Sequence, residues 1–85
     1  MVNRVNIGID GIERSRERDI QISQNVAEIF STPTGKEVLR YLRSITIEMV
    51  HGPNSTDAEL RHHAGRCHLV ADIERRIAHA HRSKE

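Results

Sequence analysis

The sequence contains no tryptophan, one phenylalanine and one tyrosine, so the large rings that dominate most cores are nearly missing. A chain of 85 residues buries a smaller share of its surface than a longer one. With Phe30 and Tyr41 as its aromatic residues, its own core is expected to be thin and to be completed by neighbours or self-association. A single cysteine, Cys67, excludes an intramolecular disulfide and suits a reducing compartment such as cytoplasm. Charge of one sign is also lacking: the formal net charge is +1, and basic and acidic residues balance four to four in 1–19, three to three in 20–56 and six to five in 57–85. That balance excludes the basic excess behind non-specific nucleic-acid binding and the acidic excess of a solvating tail. No apolar run approaches the roughly 20 residues that cross a bilayer, and MVNRVNIGID has no signal-type apolar stretch. No membrane partner is expected.

What is present is helical periodicity. Before it, residues 1–14 place Val2, Ile7 and Ile9 among Asn and Gly, with Ile7 and Ile9 alternating as on a strand. One strand cannot stabilise itself, so this segment is expected to be an extended arm that buries Ile7, Ile9 and Ile12 on a neighbouring subunit; a frayed tail is the plainer alternative. From Ser15 the spacing of Ile22, Val26, Ile29 and Phe30 predicts a helix over 15–30, with Asp19 in an exposed first turn. STPTGKE breaks it. Either Thr32 caps a helix whose first residue is Pro33, or Thr34 and Glu37 form a capping box.

The second helix should carry Val38, Leu42, Ile45 and Met49 on one face, widened by Leu39, and leave Lys36, Arg40, Arg43 and Glu48 in solvent. It is expected to end at His51-Gly52-Pro53, its last turn weakened by the β-branched run Ile45-Thr46-Ile47. Thr56-Asp57-Ala58-Glu59 reads as a capping box opening a third helix to about Arg82, lined by Leu60, His63 or Ala64, Cys67, Val70, Ile73, Ile77 and Ala80. At about 1.5 Å per residue this rod is nearly 40 Å long.

Candidate chemistry is sparse. His63 and Cys67 share a helix face at i, i+4, but two ligands do not make a zinc site, no C-x-x-C occurs, and the other histidines point elsewhere. Neighbours such as Cys67 and His68 diverge by about 100° on a helix, which defeats thiolate catalysis; Asp72 and Glu74 diverge likewise. No catalytic residue, metal ligand or cofactor is expected. The arginines of the third helix, Arg61, Arg66, Arg75, Arg76 and Arg82, are interleaved with Asp57, Glu59, Asp72 and Glu74, which repel phosphate. Direct sequence-specific binding to nucleic acid is therefore unfavoured, and a small DNA-associated regulator or packaging factor with a helix-turn-helix-like arrangement stands as the alternative function.

The stretch Phe30-Ser31-Thr32-Pro33-Thr34-Gly35-Lys36-Glu37-Val38-Leu39-Arg40-Tyr41-Leu42 resembles the F-x-T-x-x-G-x-x-V-L-x-x-L opening of small helical proteins from the virion-structure (head and portal) gene block of tailed bacteriophages and prophages. The later Ala64-Gly65-Arg66-Cys67-His68-Leu69-Val70-Ala71-Asp72-Ile73 is similar to their G-R-R-x-x-V-x-x-I element, with Cys67 in place of the second Arg. The resemblance spans about residues 28–77. It implies a virion component or assembly factor rather than an enzyme, found in the virion and, during assembly, in the host cytoplasm.

The resulting expectation is an all-α fold, a small three-helix hairpin-type bundle with an extended N-terminal arm (1–14) and a single helical domain (15–85). Its first two helices form an antiparallel pair, crossed by the third over a core of Phe30, Leu39, Leu42, Ile45, Leu60, Val70 and Ile73. Gly35, in the first turn of the second helix, lacks a side chain and lets the first helix or another subunit approach closely; Gly65, inside the third helix, costs about 1 kcal/mol relative to alanine, a cost that close helix–helix contact would explain. With Arg66 and the arm residues Ile7, Ile9 and Ile12, they form the expected interface to a second copy and to a larger virion protein at the portal, the head-tail junction or among internal particle proteins.

Overall fold

A computed structural model describes residues 6–83; Val2, one of the arm's apolar residues, lies outside them. Three helices follow the arm: α1 (Arg16–Ser31), α2 (Pro33–Ser44) and α3 (Asp57–Ser83). The Ser15 side chain caps α1 by accepting from the Arg18 N–H at 3.2 Å. Between α1 and α2 the first of the two capping schemes operates. Thr32 accepts from the Gly35 N–H at 2.9 Å while its hydroxyl donates to the Ile29 carbonyl at 2.9 Å, and Pro33 occupies the first helical position. The Thr56 hydroxyl likewise accepts from the Glu59 N–H at 3.1 Å and starts α3.

Helix α2 is shorter than its sequence suggests. It stops at Ser44 because the β-branched run that follows is stiff and Thr46 turns its hydroxyl back onto the Leu42 carbonyl at 2.5 Å, a side-chain bond that competes with helix continuation. Residues 45–48 form a tight turn. Met49 is thus outside the helix and exposed; Val38, within the helix, is exposed as well. The inward face of α2 runs through Gly35, Leu39 and Leu42 to Thr46.

Helices α1 and α3 form the main contact, running in the same general direction: Asp19 meets Arg76, and Ser23 meets His79 four residues further along α1 and three along α3. Helix α2 folds back beside them and reaches α3 through Arg43, 2.5 Å from Glu74. The result is a plate. Its extents are 55 × 36 × 15 Å and its radius of gyration is 16.0 Å, against about 12 Å for a compact domain of this length. Among the described residues, Val70 and Ala80 are the buried apolar ones. Phe30, Leu39, Leu42, Ile45 and Ile73 are half-buried. Leu60, expected in the core, is 45% exposed, because no other helix extends over the first turns of α3.

The arm closes on itself. Ile7 and Glu13 form an antiparallel bridge, the Gly8 N–H donates to the Ile12 carbonyl at 2.8 Å, and Gly11, at φ 81°, completes the three-residue loop Ile9–Gly11. A non-glycine residue is disfavoured at that left-handed position.

Candidate functional site

The densest polar constellation lies where this hairpin meets α1 and α3. Asp19 is not in an exposed first turn; it is 8% exposed, and Arg76 facing it is 6% exposed. Nη1 of Arg76 donates to the Asp19 carboxylate at 2.6 Å, to the Asp19 carbonyl at 3.0 Å and to the Ser23 hydroxyl at 3.1 Å. Nη2 donates to Asp10 of the hairpin at 3.1 Å. One guanidinium therefore ties together the hairpin, α1 and α3, as its planar fork of donors permits.

The hairpin reaches this node because Gly8 has no side chain: a Cβ there would stand 2.5 Å from Oδ1 of Asp19. The Ile9 N–H points to the other oxygen of Asp19 at 3.4 Å. Asp10 is held by the Arg14 guanidinium at 2.9 Å and by the Ile12 N–H at 3.1 Å. Arg14, then the Ile12 amide and the more distant charge of Arg76, lower its carboxyl pKa to about 2.

Ser23 and His79, with oxygen and Nδ1 2.7 Å apart, have the spacing of a nucleophile and its base. The setting assigns them another role. Ser23 is completely buried, and its oxygen already accepts from Arg76 while facing the Asp19 carbonyl at 3.3 Å. Its polar groups pair with each other and no substrate reaches the oxygen, so the pair joins α1 to α3.

A second cluster joins the α2–α3 connection to α3. The rings of His51 and His63 meet edge to face with centroids 4.2 Å apart, and Cys67 Sγ lies 3.4 Å from His63 Nε2. Burial, followed by the neighbouring His51, Arg66 and His62, pushes the pKa of His63 below its ordinary value. Among the described residues no group of three or more His, Cys, Asp or Glu side chains is arranged to hold a metal. Arg43, half-exposed beside Glu74 and Glu48, is held above its ordinary pKa by those two carboxylates, Glu74 first.

The residues expected at an interface are dispersed. Ile7, Ile9 and Ile12 are exposed on the hairpin. Gly35 is buried inside the chain: a Cβ there would stand 2.8 Å from the Ile29 carbonyl carbon and from Phe30 Cα, so its close contact is with the end of α1. Nothing lies within 4 Å of a Cβ built on Gly65, and Gly65 and Arg66 are both exposed. Sequence reasoning missed Asp10, Asp19, Ser23, Arg76 and His79. The available signals were Asp10-Gly11, a hairpin-turn dipeptide between isoleucines, and the polar pairs Asp19/Ser23 and Arg76/His79 at helical spacing within apolar stripes.

A shallow groove of about 350 Å³ between α1 and the end of α3, lined by Gln24, Ala27, Glu28, Ser31 and His81, brings no further charged cluster together. No helix among the described residues is long and apolar enough to cross a membrane. No curated protein and no solved structure matches the chain. The family model described as Bbp19-like phage protein matches residues 26–84, which take in the end of α1, all of α2 and α3, and both sequence elements noted above; the chain belongs to this family of phage proteins.

Proposed function

We propose that this phage protein is a non-enzymatic structural or assembly component of a tailed-phage particle, which oligomerises and binds a larger virion protein at the portal, the head-tail junction or inside the particle. The observation that carries this reading is unfinished burial. The accessible surface is 6631 Å², whereas a compact monomer of this mass has about 5,100 Å². The excess is comparable to what a single partner contributes to two standard interfaces. Ile29, Val38, Tyr41, Leu60 and Leu69 are among the exposed large apolar groups, and covering such groups stabilises association by roughly 25 cal/mol per Å².

Gly65 and Arg66 offer a place where another backbone can approach α3, and Arg66 has donors for a partner carboxylate or carbonyl. The basic side chains are poorly disposed for phosphate: Arg75 is paired with Asp72, Arg40 with Glu37, and Arg76 is buried in the polar node.

Light scattering on the purified chain at micromolar concentration tests the self-association, and quantitative mass spectrometry of purified particles tests the location. Multimers together with several copies per particle are expected. A rigid monomer absent from particles overturns the proposal, and steeply salt-dependent binding to random duplex would redirect it to DNA.

A further inference from the structure

The His51–His63 contact joins the α2–α3 connection to α3, and neither ring forms an ion pair with a carboxylate of the described residues. His51 Nε2 and His63 Nδ1 are both buried without a hydrogen-bond partner. A neutral imidazole has one donor and one acceptor, so an unmatched nitrogen is tolerable; the charged ring has an N–H on both nitrogens and each needs an acceptor. We propose that this contact is an acid-released clasp, which holds the connection between α2 and α3 against α3 while the His63 ring is neutral and frees it when that ring is protonated.

The surroundings support release. On α3, His62 and Arg66 add positive charge or the capacity for it, and Cys67 places its sulfur 3.4 Å from His63 Nε2. On the turn, the Thr46 backbone favours the charged ring, as the smallest influence and without closing a hydrogen bond. Of the carboxylates, Glu48 lies 3.3 Å from Arg43, and Glu59, one turn before His63, is exposed to solvent. The freed segment carries Met49 and Val50, the latter 91% exposed. Titration of the clasp therefore sets the pose of an apolar tip.

Amide hydrogen exchange of residues 45–56 in the full chain, corrected for intrinsic rates, tests this between about pH 7.5 and 5.5, the range over which histidines change charge. The native chain should lose roughly tenfold protection on acidification, and the double variant His51→Phe/His63→Phe, which keeps a ring pair and cannot charge, should not. Equal pH dependence in both proteins, or none in the native chain, overturns the proposal. If the double variant fails to hold the segment at neutral pH, ring-proton NMR of the native chain decides. Titration of His63 together with the 45–56 amides supports the clasp, and titration of His63 without them overturns it.

Discussion

Arg76 and Asp19, 57 residues apart in the chain, meet at 2.6 Å in surroundings that expose about a tenth or less of either side chain. A buried pair of this kind contributes modestly against a well-packed apolar replacement, but removal of one partner leaves a charge without compensation. The pair thus fixes which way α1 lies on α3 more than it adds stability.

Arg76→Ala should accordingly destabilise the chain by about 3–5 kcal/mol, enough to melt a domain this size tens of degrees earlier. The double variant Asp19→Leu/Arg76→Met should recover much of the loss. Circular-dichroism melts of the two variants check this; a double variant as unstable as the single one would contradict it.

Acid should act on the hairpin through Asp10. Its carboxyl is held at about 2, below the ordinary 3.8, by Arg14 first. The docking it supports is therefore fully present above about pH 4 and is lost as pH falls toward 2. Amide NMR signals of Gly8 and Gly11 should shift over that interval in the native chain, and Asp10→Asn should already show the low-pH positions at neutral pH.

His63 has a dependence of the same sign at higher pH. Its pKa is lowered by burial first and then by the neighbouring His51, Arg66 and His62, so the folded state favours the neutral ring. Stability should fall as pH drops through the ordinary histidine value near 6.5 and level off below the folded-state value. Urea titrations at several pH values should show this loss, and His63→Phe should reduce it.

The two helical glycines should respond in opposite directions. Gly35→Ala sets a methyl against the backbone of Ile29 and Phe30 and should cost about 1–3 kcal/mol, the usual penalty for overpacking. Gly65→Ala meets open space and should raise the stability of the isolated chain by roughly 0.5–1 kcal/mol. If Gly65 serves an interface, as proposed, Gly65→Leu should leave helicity intact and reduce the oligomer seen by light scattering.

Thr32→Ala should cost about 1 kcal/mol, because the Thr32 side chain both caps α2 and closes the end of α1. Replacement by serine should restore most of it.

The amino-acid sequence by itself determined the three helices and their starts. Apolar spacing, the Thr32-Pro33 cap and the Thr56 cap act within a few residues, so neither depends on what the helix later packs against. It also determined that apolar material would be scarce, with one Phe and one Tyr in 85 residues. Tertiary structure alone decided that Asp19, Ser23 and Arg76 lie inside. Their burial is tolerable only because α1 and α3 bring donors and acceptors together from distant parts of the chain, and no local pattern records that meeting. It likewise decided where the hairpin docks, since Gly8 has room to approach Asp19 only once α1 is in place, and it left Leu60 in water because no other helix reaches the start of α3.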